Sequence, residues 1–168
     1  MATSIYTQVE IDQMLATPKD IELDAWEDRT QDRKRSPNSV AIEVSARDRD
    51  DMDFNIAIVR SPRIGSESIT LIGKILGRDR RAIARYDIHD AAHKNPPWFD
   101  PGFIGPRQPH RHLYNERALK EDREWHACAE PLDLPDDAQR LLGKLLDDLN
   151  IRFSDSKTNT QLFGFMNI

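Results

Sequence analysis

Four segments in the first half of the chain alternate apolar and polar or small residues, and this pattern does most to limit the folds open to it. Val40, Ile42 and Val44 form the first segment, and Phe54, Ile56 and Ile58 the second. The third runs from Ile69 to Leu76 and the fourth from Ala82 to Ile88. The turns RDRDD, SPRIGSES and GRDR separate them. Successive strand side chains point to opposite faces, so a period of two broken by turn signals at this spacing predicts an antiparallel β-meander. Residues 110–115 and 123–129 are each expected to add a strand.

Helical signals flank the strands. Thr7 and Glu10 stand at capping-box spacing, ahead of Ile11, Met14 and Leu15 and the stop at Pro18. Thr17-Pro18 predicts the start of a second short helix carrying Ile21 and Trp26. The stretch EDRTQDRKRSPNS has no apolar residue and reads as a connector, with Arg33-Lys34-Arg35 solvated. Leu134, Ala138, Leu141, Leu142, Leu145, Leu146 and Leu149 form one apolar stripe. Asp133 is the expected cap of that helix, with Pro135, Asp136 and Asp137 in its first turn.

The expected fold class is therefore α+β, an antiparallel β-meander sheet packed by an N-terminal helix and a C-terminal amphipathic helix. A single domain over residues 1–168 is expected. It comprises a helical N-terminal extension (1–38), the sheet with a functional loop at 89–109 (39–129), the C-terminal helix (134–150) and a tail (151–168). The end of the tail, LFGFMNI, reads as a terminal strand or a docking segment.

Length and composition exclude some classes. A chain of 168 residues with 38% hydrophobic content can bury a core. No apolar run approaches the roughly 18 residues of a membrane span. The N-terminus lacks the basic start and apolar stretch of a secretory signal. Cys128 is the only cysteine, which rules out an internal disulfide or a cysteine-rich zinc site. It reads as a buried structural thiol, and a cytoplasmic location without membrane contact is expected. The net charge of −5 is uneven: Arg60 to Arg117 carries 11 Lys/Arg against 6 Asp/Glu, between acidic flanks. A basic middle suits a phosphate-rich partner such as RNA meeting residues 60–117, or it disperses into an ordinary solvated surface.

The candidate site lies between Arg85 and His112. Four of the five histidines fall within the 24 residues from His89 to His112. By strand parity Arg85, Asp87 and His89 share one face of the fourth strand, and Ala84, Tyr86 and Ile88 the other. His110, His112 and Tyr114 likewise share a face. If Leu113 packs inward with Ile88, the histidines and Asp87 point to an open face.

Such a cluster has two chemical uses. Histidine titrates near neutral pH and suits acid–base work. His89 or His93 with His110 or His112 would move protons in RNA cleavage, Asp87 would orient a histidine, and Arg85 and Arg111 would bind phosphate. Alternatively, His89, His93, His110 and His112, with Asp87 or Glu116, have spacings that can share a metal ion. No other cofactor is expected. HRHLYNE matches the first half of a cupin metal motif, but the second half is absent. The histidines also suit plain hydrogen bonding to loop backbone, the reading given to His126.

The run Arg85-Tyr86-Asp87, a histidine-bearing turn at His89 and His93, and Pro109-His110-Arg111-His112 resembles the TumE-like toxins of toxin–antitoxin systems and related prophage domains. The likeness is carried by about 30 residues and extends loosely over about 110. It implies a toxin-like ribonuclease or nucleic-acid-binding component of a bacterial or phage conflict system, with an antitoxin or host defence protein as partner. The insert 94–108 and the first 38 residues depart from the pattern. The alternative without catalysis is a phage protein that binds and inhibits a host defence protein.

Overall fold

A computed structural model describes residues 5–32, 38–61, 65–135 and 137–154. The helices are α1 (Gln8–Ala16), α2 (Leu23–Asp32), α3 (Glu116–Lys120) and α4 (Ala138–Asp148). The strands are β1 (Lys19–Ile21), β2 (Ser39–Ala46), β3 (Met52–Arg60), β4 (Glu67–Ile75), β5 (Arg81–Ile88), β6 (His93–Lys94), β7 (Phe103–Ile104), β8 (His110–Leu113), β9 (Ala129–Pro131) and β10 (Ile151–Phe153). Eight strands form one sheet in the order β10-β1-β2-β3-β4-β5-β8-β9, and β6 and β7 form a separate hairpin. Every pairing is antiparallel except β1 with β10. The fold is α+β, and the β2–β5 meander is the one expected from the alternation. No helix among the described residues is long and apolar enough to cross a membrane.

The core lies on the helix-bearing face. Ile11 and Met14 of α1, Trp26 of α2, and Leu141, Leu142 and Leu145 of α4 pack with Phe54, Ile56, Ile69, Leu71 and Tyr86. A bulge between Leu71 and Ile72 gives β5 an extra residue, so the neighbours Ile83 and Ala84 are both buried. Gly73 allows this packing, because a Cβ there would meet Ile83 Cδ1 and Met14 Sδ at 3.1 Å and Phe54 Cε1 at 3.2 Å. Gly73→Val is expected to cost about 2 kcal/mol by overpacking, read as a lower urea midpoint at unchanged slope.

Several boundaries differ from the sequence reading. Ile21 lies in β1 and not in the second helix, held between β2 and β10. Residues 27–32, read as connector, belong to α2. Trp26 anchors that helix at 2% exposure, edge-on to Phe153 at 5.7 Å, and one buried anchor outweighs a polar sequence. The cap of α4 is Asp137, whose carboxylate accepts from Arg140 N at 2.9 Å, so the helix begins later than Asp133 implied. Residues 123–128 contain no strand, and pairing starts at Ala129. Arg33-Lys34-Arg35 and LFGFMNI lie outside the described residues.

Lys19 joins the two ends of this core. Its side chain is fully buried, and Nζ donates to Leu15 O at 3.0 Å, Thr17 O at 2.7 Å and Leu149 O at 3.0 Å. One ammonium thus serves the C-terminal ends of α1 and α4, whose last carbonyls have no partner within the helix.

Candidate metal centre

The register of β5 and β8 assembles the site. Arg85 pairs with His112 and Asp87 with His110, so the four residues share one face, as parity predicted. That face is not open here. Asp87, His110 and His112 are 0%, 1% and 2% exposed. The cover comes from the Pro/Gly-rich loop, expected to be functional, and from the 124–128 segment. Asn95 fastens the two: Nδ2 donates to Pro101 O at 2.6 Å and Ala129 O at 2.7 Å, and Oδ1 accepts from Ala129 N at 2.6 Å. His93 adds a bond from Nε2 to Ala127 O at 3.0 Å.

Backbone carbonyls fix the orientation of both buried histidines. His110 Nδ1 lies 2.8 Å from Gln108 O, and His112 Nδ1 lies 3.2 Å from Cys128 O. A carbonyl only accepts, so each Nδ1 carries a hydrogen, and in the neutral ring each Nε2 presents a lone pair. Both Nε2 atoms face Asp87 Oδ2, at 3.9 Å from His110 and 3.4 Å from His112. Asp87 Oδ1 is taken by Ser68 Oγ and by Arg85 Nε at 2.8 Å, while Oδ2 is buried without a hydrogen-bond partner. Three acceptor atoms therefore converge, all within 4.8 Å of one another.

The surroundings of His110 and Asp87 shift both groups. Burial holds His110 below its usual range, which favours the neutral ring. Burial pushes the Asp87 carboxyl up, but His112, Arg85 and Ser68 outweigh it, and the net direction is down. Arg85 also reaches Asp90 at 3.4 Å, so its charge is shared between two carboxylates.

Two more imidazoles surround the triad. The His93 ring lies 4.9 Å from His112 and 6.2 Å from His110. His126, expected to be structural and apart, lies 5.7 Å from His112, with its Nδ1 buried and without a hydrogen-bond partner. Its place follows from the pairing of His112 with Ala129, which folds residues 126–128 back over β8. No local signal in WHACAE encodes that long-range pairing. Cys128 is buried, and burial pushes its thiol up to about 11, as a structural thiol requires.

Three expected site residues are not in the cluster. His89 follows the end of β5 at φ 56°, which breaks strand parity and turns its ring to Gly65 O at 3.2 Å. Glu116, the proposed extra ligand, opens α3, where it accepts from Gln8 N at 3.1 Å and pairs with Lys120 at 2.6 Å. This also separates the cupin-like glutamate from His110 and His112. Arg111, expected to bind phosphate, lies on the opposite face. There it pairs with Glu130 at 2.8 Å and Asp148 at 2.6 Å, and Tyr86 OH donates to the same Asp148 oxygen at 2.9 Å. Arg111→Ala is expected to cost about 2 kcal/mol through this half-buried network and leave the histidine face unchanged, read by thermal unfolding beside metal titration. Arg85 does lie at the site, bonded to Asp87 and partly exposed.

Searches of protein-family models, of curated proteins and of solved structures find no match to this chain.

Proposed function

We propose that the protein is a metalloprotein whose centre is built by Asp87, His110 and His112. The observation that carries this is the convergence of three potential ligand atoms at a fully buried point, where Asp87 Oδ2 has no hydrogen-bond partner. An unpaired buried acceptor such as Asp87 Oδ2 is costly, and an ion shared with the two imidazoles would satisfy it. Ligating histidines commonly donate their second nitrogen to a backbone carbonyl, the pattern of His110 and His112 here. Two imidazoles and a carboxylate suit Zn²⁺, Fe²⁺, Co²⁺ or Mn²⁺ and leave a coordination position beyond the three ligands. In a metal-dependent enzyme that position would take water or substrate.

The test is calorimetric titration of chelator-stripped protein with Zn²⁺ and Co²⁺. One ion per chain is expected. His112→Ala should weaken binding by at least about 100-fold, while His89→Ala should not change it. Equal affinity in wild type and His112→Ala removes the proposal.

A second reading keeps the toxin-like ribonuclease. Its support is Asp87 Oδ2 at 3.4 Å from His112 Nε2, a carboxylate placed to orient a histidine, with Arg85 partly exposed beside it for a phosphate. Acid–base histidines must touch the sugar-phosphate, so this reading requires the 89–109 cover to lift. Metal-free wild-type protein should then cleave RNA and His112→Ala should not; absence of cleavage by wild type removes it.

A further inference from the structure

The three ligands leave open what completes the coordination, and the ring geometry around them supplies a candidate. Imidazoles bound to one ion at about 2.0–2.1 Å have ring centres roughly 5 to 6 Å apart. His110 and His112 are separated by 5.0 Å, His93 and His112 by 4.9 Å, and His93 and His110 by 6.2 Å. The two separations from His112 fit that range, and the His93–His110 separation lies just above it. His93 Nε2 faces the acceptor Ala127 O, so it carries the hydrogen, and the neutral ring keeps its lone pair on Nδ1. This is the pattern of the two buried ligands with the nitrogens exchanged. His93 comes from a different element, the β6–β7 hairpin that covers the sheet face.

We infer that His93 is the fourth ligand, contributed by the covering hairpin, so that a bound transition-metal ion ties the 89–109 loop to β5 and β8. The inference rests on the metal-centre reading above. Its atoms are not yet within the 4.8 Å set formed by Asp87, His110 and His112, so ligation draws the hairpin further over the ion. Around a tetrahedral ion such as Zn²⁺ a His3Asp set has no open position, and four protein ligands then mark a structural centre. The ion then orders the loop, and free energy of metal binding becomes free energy of closing the cover.

The experiment uses Co²⁺ as probe with full-length wild type, His93→Ala and His93→Gln, each checked for folding by circular dichroism. Gln tests whether a side-chain amide on Ala127 O rescues folding without supplying an imidazole. Wild type is expected to give the intense visible absorption of four-coordinate Co²⁺, and Co²⁺ should slow tryptic cleavage after Lys94. Both variants should bind Co²⁺ about 10- to 100-fold more weakly, with a weaker spectrum and no protection at Lys94. Unchanged affinity and spectrum in folded His93→Gln overturn the fourth ligand and leave the three-residue centre standing. Absence of Co²⁺ binding by wild type overturns both.

Discussion

Asp87→Asn is expected to separate metal affinity from fold stability. The amide keeps the carboxylate's shape, so its oxygen can still accept from Arg85 and Ser68. Its Nδ2 can donate to the lone pair of His112 Nε2, where Asp87 Oδ2 now stands 3.4 Å away without a hydrogen bond. The metal-free variant should therefore unfold within about 1 kcal/mol of wild type. Binding of Zn²⁺ should fall by at least about 100-fold, or about 3 kcal/mol, because the anionic ligand is gone. The opposite pattern follows if Asp87 is the counter-ion of a protonated His112. Removing one partner of a buried ion pair would then cost about 3–5 kcal/mol of stability. Denaturation of the metal-free proteins beside zinc titration distinguishes the two.

Lys19→Met is expected to give the largest loss of stability. Methionine fills similar volume but leaves the carbonyls of Leu15, Thr17 and Leu149 without their donor. The expected cost is about 3 kcal/mol, seen as a lower denaturation midpoint. The loss should depend on pH. Burial pushes the Lys19 ammonium down to about 7 from 10.5. Between those values the unfolded chain holds a proton that the folded chain releases, so this titration makes folding more favourable as pH rises. The contribution is absent below the folded value and complete above 10.5. The stability gap between wild type and Lys19→Met should therefore widen from pH 7 to pH 10. A gap that stays constant across this window would show that the three carbonyls hold the proton on Lys19 throughout.

These two residues show what the sequence could and could not reveal. Period-two alternation located β2 to β5 because each strand has one face in the core, and parity then put Arg85, Asp87, His110 and His112 together. Parity says which face a residue occupies, but not what covers that face. The burial of Asp87, His110 and His112 depends on Asn95 and His93 bonding to residues 127–129, contacts spanning 34 residues. The pairing of His112 with Ala129, which no local pattern announces, hid His126. Parity also fails where the strand ends, which is why His89 left the cluster. β1 and β10 escaped notice because three residues are too few to show a period, and their pairing joins opposite ends of the described chain. No local pattern marks Lys19 as a core residue, and only the convergence of two helix ends makes it one.

The central claim is that Asp87, His110 and His112 converge on a divalent ion. Crystals of the zinc-soaked protein, measured on both sides of the zinc absorption edge, test it most directly. The account predicts one anomalous peak per chain, about 2.0–2.2 Å from Asp87 Oδ2, His110 Nε2 and His112 Nε2. A peak elsewhere, or a fully ordered site with an ordinary hydrogen bond between Asp87 and His112 and no peak, would contradict it.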